Sequence, residues 1–215
     1  MTRSLPLLLA FLTLAACGGD ESPDAEGGLL STLEQANDLR KTAGSLQERL
    51  EQAAEQAERG PAETVDFRRL RGLLPEAAVG MTRTGQEGSK NGASGFTISQ
   101  AEGTYADSTG GGSATLAVSD LGGAGVAIMM AAAWTMAEID QETDTSFERT
   151  TEIGGHPGYE SYDRESRSGD VQILVADRFL VKAEGSGLEA DALRDLVTSV
   201  DLRELASWRD EGLPE

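Results

Sequence analysis

Between residues 96 and 184 the chain repeats a short pattern in which apolar and polar residues alternate, and turn residues separate the repeats. Alternation with period two places one set of side chains on each face of a β-strand. The glycine-rich connection at residues 108–112 and the tight turn near Asp177 favour antiparallel hairpins. The predicted strands cover residues 96–105, 114–119, 147–153, 156–164, 171–176 and 179–184.

Two further stretches predict helices that pack on this sheet. Residues 121–137 carry no charge, and residues 188–200 are amphipathic, with residues 201–205 predicted to extend that second helix. The uncharged stretch is diluted with Gly and Ala, so we interpret it as a core helix and not as a membrane span. The fold class that follows is α+β, with an antiparallel sheet of about six strands covered by helices. Residues 82–94 are polar and glycine-containing and are interpreted as a loop.

The N-terminus has the three parts of an export signal. Arg3 precedes an apolar run over residues 5–16, and small residues stand before Cys17, the only cysteine of the chain. The run is too short to span a bilayer, which needs about 20 apolar residues. An exported chain with a single thiol cannot form an internal disulfide, so the cysteine needs another role.

Leu14-Ala15-Ala16-Cys17 resembles the lipobox of bacterial lipoproteins. The resemblance implies cleavage before Cys17 and attachment of diacylglycerol to its thiol. A plain secretory signal that ends at a chance cysteine is the alternative. Because Gly18 and Gly19 follow Cys17 and no aspartate stands beside it, the resemblance also implies the periplasmic face of the outer membrane, if the organism has two membranes.

Four segments follow from these patterns: a signal peptide at residues 1–16, a flexible acidic tether at 17–28, a long amphipathic helix at 29–60 and a globular domain at 61–215. The tether has too few apolar groups to fold. Ser31 and Glu34 have the spacing of a capping box at the start of the helix. Apolar residues then recur with heptad spacing, which predicts docking on the domain, a simple stalk, or self-association through residues 29–59.

The net charge of −19 limits the possible partners. An acidic surface repels phosphate backbones, so no nucleic acid is expected. It also repels anionic lipid headgroups, which leaves the lipid at Cys17 as the means of membrane attachment. Two or more acyl chains hold a protein stably on a membrane. We therefore expect a lipid-anchored protein of the cell envelope.

Residues suited to catalysis are few. His156 is the only histidine, and a Ser-His-Asp triad would have to combine it with Ser166 or Ser168. No nucleophile-elbow motif surrounds either serine. Zinc sites need several histidines or cysteines, so none is expected. The sequence predicts no catalytic residue, and we expect that the protein is not an enzyme.

The acidic and glycine-rich motifs are also weak indications of a metal or cofactor site. Asp140, Glu142 and Asp144 alternate as loose calcium ligands do, but they lack the EF-hand pattern and are interpreted as a solvated loop. Residues 122–125 are rich in glycine, yet the third glycine of a dinucleotide fingerprint and the Walker lysine are absent. Close packing of a helix on the sheet explains these glycines better. No metal or cofactor is predicted.

The globular part resembles a family of uncharacterised bacterial envelope proteins through Val65-Asp66-Phe67, Leu73-Leu74-Pro75, Arg178-Phe179 and Asp201-Leu202. This resemblance implies an envelope location and no particular activity. The order strand–strand–helix–strands–helix also resembles the PsbP/Mog1-like fold, which implies a fold but no function.

The leading hypothesis is an anchored, non-enzymatic envelope lipoprotein with a binding or structural role. One alternative is a carrier of a small apolar ligand, in a pocket between the sheet and Met129, Met130 and Trp134. The other is a carboxylate hydrolase, which requires two acidic side chains that converge in a cleft.

Overall fold

The computed structural model describes Gly44 and residues 62–93, 96–108, 110–122 and 138–213. Most of these residues belong to one antiparallel sheet of nine strands. The strands are β1 (Ala77–Ala78), β2 (Met81–Ala93), β3 (Phe96–Asp107), β4 (Ser113–Asp120), β5 (Asp140–Glu142), β6 (Ser146–Ile153), β7 (His156–Asp163), β8 (Ser168–Val175) and β9 (Phe179–Ser186). The described helices are short: α1 (Phe67–Gly72), α2 (Ala190–Thr198) and α3 (Leu202–Ser207).

The sheet consists of two meanders that meet in its middle. The strand order is β1-β2-β3-β4-β9-β8-β7-β6-β5. Strands β1 to β4 form the first meander, and β5 to β9 form the second. They join where β9 pairs with β4, with Leu116 opposite Ala183. This central pairing brings together residues that are far apart in the chain.

The two faces of the sheet differ in chemistry. On the helix face, alternate side chains of the strands form one continuous core with residues of α1, α2 and α3. Fully buried members of this core are Tyr105, Leu116, Ile173 and Val181 from strands and Leu70, Leu193, Leu196 and Leu205 from helices. The opposite face, here the polar face, carries the other set of side chains, including Glu102, Thr115, Lys182, Gln172 and Tyr159.

Side-chain caps define where two of the helices begin. Asp66 precedes α1 and accepts a hydrogen bond from the Arg68 amide at 2.7 Å. Asp201 precedes α3 and accepts one from the Glu204 amide at 3.0 Å. Such caps satisfy amides that have no partner inside the helix. The predicted helix at residues 188–200 is confirmed as α2, but residues 201–205 start a separate helix and do not extend it.

The predicted α+β class, with about six strands covered by helices after a long N-terminal helix, is wrong. The described residues form mainly a nine-stranded antiparallel sheet with few, short helices. The six predicted strands are present as β3, β4 and β6 to β9. The prediction missed β1, β2 and β5.

Strand β2 shows why the class was wrong. Its residues were predicted as a loop because they are polar and contain several glycines. Pairing with β3, which runs from Met81 opposite Asp107 to Ala93 opposite Phe96, holds them extended despite this low propensity. Residues 140–142, predicted as a solvated loop, likewise form β5 by pairing with β6.

Several predicted segments lie outside the described residues. They are the signal peptide at 1–16, the tether at 17–28, the helix at 29–60 apart from Gly44, which is helical, and residues 123–137 of the uncharged stretch. Within the part of the chain that the structure describes, no helix is both long and apolar enough to cross a membrane.

Candidate functional site

The structure separates the residues of the conceivable Ser-His-Asp triad. His156 begins β7, whereas Asp163 ends it and lies opposite Ser168 of β8. Because a strand rises about 3.3 Å per residue, His156 lies roughly 20 Å from that pair. Burial lowers the pKa of His156, with an opposing effect from Glu152. His156 and the two serines cannot act in one reaction.

Ser166 lies in the hairpin turn between β7 and β8, and Ser168 is the first residue of β8. Asp163 Oδ1 accepts hydrogen bonds from the Ser166 amide at 2.7 Å and the Ser166 hydroxyl at 2.8 Å. These bonds hold the pKa of Asp163 below its usual value. The Ser166 and Ser168 hydroxyl oxygens lie 2.7 Å apart. The arrangement stabilises a turn, and its carboxylate, with a lowered pKa, is a weak base.

A groove of about 390 Å³ opens beside this turn and includes Phe147, Ser161 and Tyr162 in its lining. Side chains already surround the Phe147 ring. The guanidinium carbons of Arg149 and Arg164 lie over it at 4.6 Å and 5.6 Å from its centre, and the Tyr162 ring lies 5.9 Å away. These contacts stabilise the ring in the fold and occupy the surface that a stacked ligand would need.

Two pairs of carboxylates lie directly opposite each other on the polar face. Glu87 of β2 faces Glu102 of β3, and Asp170 of β8 faces Glu184 of β9. Opposed positions place Cβ atoms about 5 Å apart, which is close enough for the two-carboxylate chemistry of a hydrolase. The groove beside Glu87 and Glu102, of about 340 Å³, is open to solvent. Glu87 is exposed, so this pair lacks the burial that keeps a catalytic acid neutral.

Neighbouring polar groups on this face interact with one another. Lys182 Nζ donates to Glu184 at 2.8 Å, and Ser161 Oγ donates to Asp170 at 2.8 Å. Burial and the adjacent Glu148 raise the pKa of Tyr159 to about 12, so its phenol stays neutral at physiological pH. Among the described residues, no group of three or more His, Cys, Asp or Glu side chains is arranged to hold a metal ion.

Glu160 is the centre of a buried ionic cluster on the helix face. Its side chain is 1% exposed. Arg194 of α2 donates to both carboxylate oxygens, at 2.5 Å and 2.6 Å, and Arg149 of β6 donates from Nε. Burial favours the neutral acid, but the hydrogen bonds from Arg194 and Arg149 outweigh it and hold the pKa of Glu160 below its usual value.

A second buried pair, Asp120 and Arg178, lies where β4 ends and β9 begins. Both residues are almost completely buried, at 0% and 1% exposure. Arg178 donates to Asp120 from Nε at 2.9 Å and from Nη2 at 2.7 Å. Its remaining N–H groups donate to backbone carbonyls, so the guanidinium has no donor left for a ligand.

Neither buried cluster was predicted as a site from the sequence. Arg178 appeared only within the Arg178-Phe179 motif, and Glu160 was not singled out. One signal was present for Glu160, because it alternates with Gly158 and Tyr162 on the inward face of β7. Cys17 and the predicted ligand residues Met129, Met130 and Trp134 lie outside the described residues.

Comparisons with protein-family models, with curated proteins and with solved structures find no match for this chain. The resemblances to bacterial lipoproteins, to an envelope family and to the PsbP/Mog1-like fold stay predictions from the sequence.

Proposed function

We propose that this protein is a cell-envelope lipoprotein, anchored through Cys17, whose β-sheet domain has a binding or structural role and no catalytic one. The observation that carries the proposal is the leader, in which a short apolar run ends at Leu14-Ala15-Ala16-Cys17. In an organism with two membranes, the protein lies on the periplasmic face of the outer membrane.

The chemistry of the described domain supports a non-catalytic role. Its two buried ionic clusters, around Glu160 and Arg178, use their charges in bonds within the protein. Catalytic groups instead lie in clefts where they reach a reacting atom. The described grooves at Phe147 and Glu87 are wide and lined by surface residues. A broad polar sheet face is suited to contact with another macromolecule.

Palmitate labelling tests the anchor. In cells fed radiolabelled palmitate, the full-length protein is expected to carry the label and to sediment with membranes. Cys17→Ala removes the thiol, so the label should disappear and the protein should leave the membrane fraction. Gly19→Ala, two residues further on, is the matched control and should keep the label. An unlabelled wild-type protein, or a Cys17→Ala variant still in the membranes, overturns the proposal.

The heptad pattern of residues 29–59 suggests a second contact. Either two copies associate through this segment, or it docks on its own domain. Light scattering of the protein with and without residues 29–59 separates the two cases. A dimer mass that falls to that of a monomer on deletion supports self-association, whereas monomers in both samples support docking.

A carboxylate hydrolase is the second candidate, because Glu87 and Glu102 lie opposite each other. It predicts turnover of glycoside substrates that Glu102→Gln abolishes, while Glu184→Gln, in the other opposed pair, leaves it intact. If the wild-type protein, Glu102→Gln and Glu184→Gln all hydrolyse the substrates at the same background rate, this candidate is ruled out.

A further inference from the structure

Three segments that are distant in the chain meet at Arg178. This side chain donates from Nη2 to the Glu63 carbonyl at 3.1 Å. From Nη1 it donates to the Arg209 carbonyl at 2.7 Å and the Glu211 carbonyl at 2.5 Å. One buried guanidinium therefore holds the beginning and the end of the described domain, residues 62–65 and 208–212, against the sheet.

Asp120 completes this arrangement from the end of β4. Its Oδ2 accepts from the Val65 amide at 2.8 Å, and its Oδ1 accepts from the Gly122 amide at 2.8 Å. The two end segments also bond directly, since the Glu63 amide donates to the Gly212 carbonyl at 2.7 Å. We call Arg178, Asp120 and the backbone of residues 62–65 and 208–212 the end latch.

The end latch carries energetic costs that a simpler arrangement would avoid. Burial of an ion pair removes both charges from water, and apolar residues of similar size often stabilise a fold as well or better. Arg178 also follows a turn in which Ala176 and Asp177 have φ angles of 53° and 54°, a conformation that side chains other than glycine disfavour. In some proteins, buried ionic groups of this kind are retained because they specify one conformation.

We propose that the end latch is one cooperative unit that closes both ends of the domain, so that release of either end releases the other. It thereby sets the position at which the chain from a membrane anchor joins the sheet. Where residues 29–59 do not dock on the domain, a pull on that chain reaches it at residues 62–65 and is shared with the C-terminal segment and with β4. This mechanical role rests on the anchoring proposed above, whereas the cooperativity of the latch does not.

Amide hydrogen exchange on the full-length chain in detergent tests the cooperativity. Asp120→Asn keeps the size of the side chain but removes its charge. The amides of Val65 and Gly122, which bond to Asp120, are expected to exchange about tenfold faster or more. The Glu63 amide bonds to Gly212 and not to Asp120, yet it should accelerate by the same factor. Central sheet amides, such as those of Ile173 and Val181, exchange through global unfolding, so their rates report the accompanying loss of global stability.

Glu160→Gln is the matched control, because it alters a different buried ionic cluster and should leave the three latch amides unchanged. If Glu63 keeps its rate in Asp120→Asn, the bonds are independent and the proposal is overturned. If the latch amides need the same opening free energy as the central sheet amides in both proteins, the latch does not open as a separate unit, and the proposal is overturned as well.

Arg178→Lys is the second variant and serves if Asp120→Asn does not fold. It retains the charge but loses the planar fork of donors, and the same joint acceleration of the Glu63, Val65 and Gly122 amides is expected. Neither measurement depends on lipid attachment, so a negative palmitate experiment would remove the anchoring role and leave the exchange result intact.

Discussion

Thr64 and Ser99 each bury a hydroxyl group that has no hydrogen-bond partner. Ser99 is 0% exposed and Thr64 is 4% exposed. A buried polar group without a partner loses its bonds to water and gains none in the protein. These two positions therefore reduce the stability of the domain.

We predict that Ser99→Ala and Thr64→Val each raise the free energy of unfolding by about 1 kcal/mol, because each removes an unpartnered hydroxyl. Urea denaturation followed by circular dichroism measures the change. Ser161→Ala is the control: its hydroxyl donates to Asp170 at 2.8 Å, and its loss should lower stability. A loss of stability in Ser99→Ala or Thr64→Val as large as that in the control would contradict the prediction.

The turn between β1 and β2 contains a second unfavourable residue. Val79 has a φ of 56°, and Gly80 follows with a φ of 77°. A β-branched residue is strained in this region, whereas asparagine tolerates it. We predict that Val79→Asn raises the free energy of unfolding by about 1 kcal/mol. The melting temperature should rise with it. Gly80→Ala should lower it, since nothing within 4 Å of the added Cβ would compensate for the strain. Equal melting temperatures for the two variants would show that the turn conformation has no influence on stability.

At the level of elements, Glu160 connects α2 to the sheet. Its bonds to Arg194 and Arg149 join a helix, β7 and β6 through a single carboxylate. Because these bonds lower the pKa of Glu160 in the folded state, they stabilise the domain at pH values above the ordinary glutamate pKa. This contribution is lost as the pH falls through the depressed pKa of the folded state.

We predict that Glu160→Gln costs about 2 kcal/mol at pH 7, because it removes a charge from the cluster but retains one hydrogen-bonding oxygen. The difference from wild type should shrink as the pH falls from the ordinary glutamate pKa through the depressed pKa of folded Glu160, where the carboxylate becomes protonated. Urea denaturation of both proteins across this range measures it. The exposed variant Glu184→Gln should show a much smaller difference at every pH. A gap between Glu160→Gln and wild type that stays constant with pH would contradict the proposed cause.

Strand β2 shows how one element depends on another. Its polar, glycine-containing residues have low β-propensity, so a local reading favours a loop. β3 pairs with β2 from one end of β2 to the other. Phe67 of α1 packs over Gly88, where an added Cβ would meet the Phe67 ring at 2.5 Å. Pairing and this close approach determine the conformation of β2, and neither is visible in its own sequence.

At the scale of the whole molecule, the pairing of β4 with β9 joins the two meanders. Leu116 and Val181 are both fully buried on the helix face of this pair. Since the core is continuous across it, loss of packing there should weaken both meanders together.

We predict that Val181→Ala lowers stability by about 2 kcal/mol and that unfolding remains a single transition. Thr115→Ala, on the polar face of the same strand pair, should change stability by less than about 0.5 kcal/mol. Calorimetry measures both quantities. A Val181→Ala protein that unfolds in two separate steps would show that the meanders are independent folding units.

Local sequence was sufficient to predict an element where the pattern of its residues reflects which of its faces are buried. Alternation identified β4, β6 and β9 because each has one face in the core, a run that is apolar on both faces identified β8, and the amphipathic pattern located α2. The lipobox is a local motif as well, and lipid attachment at Cys17 remains a prediction from it.

Tertiary structure decided what depends on distant partners. Strand β2, the β4–β9 junction and the bonds of Arg178 to Glu63 and Glu211 all join residues far apart in the chain. The periodicity of residues within one segment does not predict such pairings. Hydrogen bonds and buried charges are stabilised by partners that only folding brings close. For this reason the six-strand α+β prediction failed, and both buried ionic clusters became visible only in the folded domain.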